Sequence, residues 1–259
     1  MQPTAQTLAR TYSDRVYTDP WEKVVDYRRV LDYAARNPNA GRTRVGNALD
    51  LPPSRVRGWL DSSVPDPARA VNTAAEQGWL DPDPSGETAE ALVTLLAHVI
   101  AGGSISTETF VPAVTIGRRV GVDEIRSAFA QLNVETTIRN AEVDGRATEV
   151  VPSKDASVLG RCLVAMGAPH GGKTRLDRLP PVVRDVPPTV RRSFVQTYLK
   201  HRALEQPDKA TLQIKENRPE AYFEELQQLI RESANNGNVT RNGNIITISA
   251  DAARDLGVA

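Results

Sequence analysis

The chain has 259 residues with 32 basic and 32 acidic side chains, so its net charge is zero and no global excess of positive charge announces a polyanionic partner. It is 40% hydrophobic and 25% charged, the balance of an ordinary globular protein of one large or two modest domains. No apolar run reaches the ~18 residues of a membrane span, Met1–Arg10 lacks the apolar centre of a secretory signal, and the lone Cys162 excludes an internal disulfide and a thiolate zinc site, all of which point to a reducing cytoplasm.

Residues 1–20 are polar and aperiodic and read as a loose arm. From Trp21 to Pro38 apolar residues return at helical spacing, with Val24, Tyr27, Leu31 and Ala34 inward, between a start at Asp19-Pro20 and a stop at Asn37-Pro38. A short helix over Arg42–Leu49 turns Val45, Ala48 and Leu49 inward; Asp50-Leu51-Pro52 breaks it; a second helix over Pro53–Leu60 buries Val56, Trp59 and Leu60. A further helix fits Pro67–Gln77, and the turn formers of residues 81–86 mark a linker between domains 1–80 and 87–259.

The remainder contains an internal repeat. A helix over Ala89–Ala101 returns at Val190–Ala203, and a strand over Thr109–Ile116 returns at Ala210–Lys215. A helix over Asp123–Leu132 returns at Glu220–Arg231, and a hairpin turning on Asp144-Gly145 returns at Asn242-Gly243. Four elements in one order at one offset imply a duplicated unit, the first about 87–152 and the second about 188–259, sharing one core as a pseudo-dimer within a monomer. An extra helix near Asp155–Met166 joins them, and a shorter one over Asp251–Leu256 closes the second.

The pair Arg42–Leu60 has the layout of a helix-turn-helix: two short helices, a tight connection, a buried stripe and polar residues outward. Ser54, Arg55 and Arg57 face a groove in that reading, with Arg42 and Arg44 near phosphates; a plain helical bundle with exposed arginines is the competing reading. Residues 167–174 match the phosphate-cradle pattern GxxxxGK[ST]. That cradle needs a helix directly after its Lys-Thr. Here Pro180-Pro181 follow within seven residues, so no nucleotide site is expected. His98, His170 and His201 are scattered without acidic neighbours at ligand spacing, so neither a metal nor another cofactor is expected.

Leu95-Leu-Ala-His-Val-Ile-Ala-Gly-Gly-Ser-Ile105 resembles the signature helix of LAGLIDADG homing endonucleases with its Gly-Ser-Ile exit. The stretch Leu163–Thr174, Leu179-Pro-Pro-Val-Val183 and Arg192–Leu199 resembles the approach to the second such helix. The resemblance covers roughly Glu87–Ala259. It implies an α+β fold: an all-α helix-turn-helix domain, then a pseudo-twofold unit of order αββαββα, duplicated. In that family each signature helix ends in a carboxylate that holds a divalent metal for phosphodiester cleavage. Here those positions fall at Gly102 and Arg202, neither an oxygen ligand, which implies a retained fold without nuclease activity.

The expected partner is double-stranded DNA, bound by curved sheets in the major groove through Arg118, Arg119 and Arg139 in the first half and Lys215, Arg218 and Arg241 in the second. Lys173 and Arg175 add charge in a linker where Gly171–Ala203 carries eight basic residues against two acids. The chain is similar in domain content, though not in order, to the WhiA family of regulators. The function implied is a sequence-specific, non-enzymatic transcriptional regulator in the cytoplasm, at the nucleoid. Two alternatives stand beside it: an active homing-type endonuclease, and an architectural or replication protein with little sequence preference.

Overall fold

The computed structural model describes residues 2–172, 176–206 and 209–259. The backbone divides into two units, Thr4–Glu76 and Gln77–Ala259 with Met1–Pro3. Among the described residues no helix is long and apolar enough to cross a membrane.

The smaller unit is all helix: α1 (Ala5–Ala9), α2 (Pro20–Arg36), α3 (Arg42–Leu49), α4 (Pro53–Leu60) and α5 (Asp66–Glu76). The expected loose arm is instead packed. Thr4 and Thr7 form a capping box that starts α1, and Leu8, Ala9 and Tyr17 are buried. Asp19 caps α2 by accepting from the Trp21 amide, and Pro20 takes the first turn, where a missing N–H costs nothing. Val24, Tyr27 and Val30 form its buried stripe; Leu31, expected inward, is 41% exposed because Val30 already fills that place.

Helices α3 and α4 hold their expected limits and are joined by residues 50–52. Asp50 closes α3 in the left-handed region at φ 56°, a conformation Asp tolerates. Gly46 makes the turn possible, since a Cβ there would lie 2.6 Å from the Leu51 carbonyl oxygen. Val45 and Gly46 are the buried residues of α3, whereas Ala48, expected inward, is exposed: the tight turn faces the chain onto Gly46. Trp59 meets Tyr27 edge-to-face at 5.9 Å between ring centres.

The larger unit is built twice. Its first half runs α6 (Glu87–Gly102), β1 (Gly103–Ile105), β2 (Pro112–Thr115), α7 (Val122–Ala130), β3 (Thr136–Arg139), β4 (Glu149–Pro152), α8 (Ala156–Ala165). After α9 (Val182–Asp185) the second half runs α10 (Pro188–Arg202), β5 (Leu204–Gln206), β6 (Lys209–Lys215), α11 (Glu220–Ser233), β7 (Val239–Asn242), β8 (Ile245–Ile248), α12 (Ala250–Asp255). Both sheets are antiparallel and have the same strand order, β1-β2-β4-β3 and β5-β6-β8-β7. This is the duplicated αββαββα arrangement that the sequence resemblance implies. Strand β1 was concealed in the Gly-Ser-Ile exit of α6, being only three residues long.

Helices α6 and α10 form the seam between the halves. Helix α6 is apolar on almost every side, with Ala89, Leu92, Leu96, Ile100 and Ala101 buried, because it is enclosed by α10, α7 and its own sheet. Glu87 and Glu90 in its first turn and Lys200, His201 and Arg202 in the last turn of α10 suit the helix dipoles. Residues 77–86, read from sequence as domain end and linker, pack with this unit: Trp79 is fully buried and donates to the Leu132 carbonyl.

Candidate nucleic-acid interface

Strand alternation gives each sheet two faces. In the first sheet Ile105, Val114 and Val150 point into the core. The opposite face carries Ser104, Thr115, Glu149, Thr137 and Arg139 together with the buried Ala113 and Val151. In the second sheet Leu212, Ile214, Ile246, Ile248 and Val239 are the core face. Its opposite face carries Lys209, Thr211, Gln213, Lys215, Thr240, Asn242 and Thr247, with Leu204 and Ile245 among them. Gln213 donates to the Thr247 hydroxyl across the strands at 3.3 Å. The exposed polar groups of these faces are hydroxyl, amide and basic side chains and the carboxylate of Glu149, set beside the apolar Ala113, Val151, Leu204 and Ile245.

The expected interface residues divide on this geometry. Arg139 and Lys215 stand on the open faces, and Arg118 is exposed beyond the end of β2. Arg139 shares its place with Glu149, directly opposite, at 2.7 Å. Arg119 is used internally: it donates to Glu205 at 2.7 Å and to the Val258 carbonyl at 3.2 Å, fastening the first half to the second. Arg241 has the parity of Val239 and points to the helix side, where it meets Glu220 and Glu224 of α11. Arg218 lies inside, its side chain 3% exposed against Glu216. Lys173 and Arg175 lie outside the described residues. In the smaller unit Arg42, Arg44, Ser54 and Arg57 are exposed, with Arg57 3.5 Å from Asp61. Arg55 is held by Tyr17, its guanidinium 4.7 Å above the ring and donating to the hydroxyl at 2.9 Å. Tyr17 in turn donates to Asp26, and burial followed by that carboxylate pushes its hydroxyl up to about 12.

The ends of α6 and α10 were the positions of interest for strand cleavage. Gly102 lies against the ring of His201, so closely that a Cβ there would overlap it. His98 Nδ1 and His201 Nε2 are 2.8 Å apart, so one ring donates and the other accepts. Two of the histidines read as scattered are therefore partners across the seam. Their separation of 103 residues hid the contact. Burial, then the neighbouring His201 and Lys200 charges, drive His98 down to about 3, so it is neutral at physiological pH.

Arg202 donates to Glu216 Oε1 at 2.9 Å, Tyr198 donates to the same atom at 2.7 Å, and Arg218 approaches Oε2 at 3.3 Å. Tyr222 donates to the Tyr198 hydroxyl. Burial alone raises a carboxyl, but the hydrogen bond and charge of Arg202 outweigh it, and Glu216 stays ionised below the usual range. The sequence reading missed Glu216. Its signal was in the alternation Leu212, Ile214, Glu216, which carries the buried parity of β6 one residue past its end. This carboxylate is saturated by two guanidiniums and a phenol and is not an open ligand. Among the described residues no three His, Cys, Asp or Glu side chains converge as a metal site. The GxxxxGK[ST] segment follows helix α8 rather than a strand.

No protein-family model and no curated protein matches the sequence. Among solved structures, the chain is similar to the N-terminal LAGLIDADG domain of DUF199/WhiA, at 12% identity and a TM-score of 0.41, over 69% of this chain and 86% of that one. It is also similar to I-DmoI, solved in complex with DNA and Mn, at 12% identity and a TM-score of 0.41, over 66% of this chain and 96% of that one. At that level neither likeness bears on function.

Proposed function

We propose that this protein binds duplex DNA as a sequence-specific transcriptional regulator and does not cut it. The observation that carries the reading is the pair of open sheet faces. Away from the buried Ala113 and Val151, they present Thr115, Thr137, Arg139, Gln213, Lys215, Thr240, Thr247 and Asn242, groups that contact phosphates and read base edges. A curved sheet of this composition suits the major groove. Arg118 adds positive charge beside β2. Phosphate contacts supply affinity and the amide and hydroxyl groups supply selectivity.

The absence of cutting rests on residue chemistry. Hydrolysis of a phosphodiester by metal-bound water needs oxygen ligands at the ends of the paired helices. Gly102 has no side chain, and Arg202 is a cation already joined to Glu216. The smaller unit supports the same reading through α3 and α4, with Arg42, Arg44, Ser54 and Arg57 available for a second, shorter site. Two sites on one chain raise each other's effective concentration on adjacent DNA.

The test is selection from a random duplex pool with magnesium present, across salt concentrations, followed by sequencing of bound strands. A recovered motif on intact strands with a steep salt slope is expected. Binding without sequence preference would replace the regulator with an architectural protein, and cut strands would overturn the assignment of Gly102 and Arg202.

A further inference from the structure

A cleft of about 550 Å³ opens along the seam, walled by α6 and α10 with Gln131, after α7, also in its lining. Its volume is in the range of small-molecule sites. It is separate from the open sheet faces and from the His98–His201 contact.

Its charges are sorted along its length. Glu90 and Ser193 meet at 2.7 Å and His98 and His201 at 2.8 Å, so α6 and α10 run in the same direction and their residues can be placed on one axis. Glu87 and Glu90 mark one end of the cleft and Lys200 the other. The seven residues from Ser193 to Lys200 correspond to about 10 Å of helix rise. Among the described residues Glu90 receives only the Ser193 hydroxyl, and no described cation pairs with it. Lys200 donates to Glu124 at 2.6 Å, which leaves two of its three N–H groups. Between the ends the lining is neutral and hydrogen-bonding, with Thr94, Gln131 and Thr197. Thr197 lines the cleft, and its hydroxyl forms no hydrogen bond with a described residue, so it is available to an occupant.

We infer that this cleft binds a short peptide with both termini free, its ammonium at Glu87 and Glu90 and its carboxylate at Lys200. An extended chain of three residues spans about 10 Å, the separation of the two ends, whereas a single amino acid is too short to reach both. Amide and hydroxyl side chains between the ends suit a peptide backbone, which carries one donor and one acceptor per residue. Among the described residues no aromatic side chain lines the cleft, so a planar ring finds no stacking partner there. The occupant touches both halves of the duplicated unit and belongs to the seam rather than to either half.

The experiment is calorimetric titration of the full chain with triglycine, glycine, N-acetyl-triglycine amide and spermidine. Saturable heat with triglycine alone is expected. Glu90→Gln and Thr197→Val, each checked for an unchanged circular dichroism spectrum and melting point, weaken triglycine by about tenfold, the equivalent of one charge-assisted or buried hydrogen bond. Should one of them fold poorly, Glu87→Gln in the exposed first turn of α6 serves instead. No saturable heat with triglycine overturns the inference, as does equal binding of the blocked peptide, tighter binding of spermidine, or binding unaffected by these substitutions.

Discussion

Gly102→Ala tests the seam most directly, because the smallest possible side chain is added where two helices meet. The new methyl would overlap the His201 ring, and two responses are open. If His201 swings away, the 2.8 Å bond to His98 is lost and His98, 1% exposed, keeps a buried ring nitrogen without a partner. That costs about 1–3 kcal/mol. If His201 stays, α6 and α10 must separate, and overpacking of this kind costs about 1–3 kcal/mol. The expected loss is therefore about 1–3 kcal/mol, read as a lower urea midpoint at unchanged slope. The discriminating step is a double-mutant cycle. His201→Ala removes the obstructing ring, so Gly102→Ala should cost under about 0.5 kcal/mol in that background. A full cost in both backgrounds, or no cost in the native one, would refute the account of how the helix ends meet.

Acid should weaken the fold through His98: its folded value near 3 lies below the unfolded value of about 6.5, so its contribution is complete above that pH and declines as pH falls toward 3. Urea titrations at pH 7 and 5 should differ by about 1–2 kcal/mol, and His98→Phe should flatten the difference. Glu216→Gln removes the buried carboxylate that Arg202, Arg218 and Tyr198 share and should cost about 3 kcal/mol by thermal or chemical denaturation; a loss below about 1 kcal/mol would show the cluster to be hydrated. On DNA, Lys215→Ala should weaken binding on all sequences and reduce the salt slope by about 0.9. Arg241→Ala should leave that slope unchanged, because its guanidinium is spent on Glu220 and Glu224.

Most helices and the duplication were legible in the chain because they rest on short-range periodicity. The capped start at Asp19-Pro20, the break at residues 50–52 and the offset near 100 between the halves are local patterns, and the structure repeats them as elements in the same order with the same strand order. Burial on a short helix was less legible: the α3 helix presents Gly46 rather than Ala48 because α4 turns back against it. The sequence could number the arginines but not direct them. Arg119, Arg218 and Arg241 each follow a plausible outward pattern, yet their guanidiniums are taken up by Glu205, Glu216 and the α11 carboxylates.

What the sequence determined by itself was therefore the secondary structure, the repeat and the absence of acids at Gly102 and Arg202, all properties of residue identity and spacing. What only the tertiary structure decided was which polar groups find each other: His98 with His201 across 103 residues, Arg202 with Glu216, and the sorted charges of the cleft along α6 and α10. Those pairings depend on how two halves dock and on which side of a strand a long side chain leaves. Hydrogen bonds and ion pairs act over a few ångströms, and no one-dimensional pattern carries that distance.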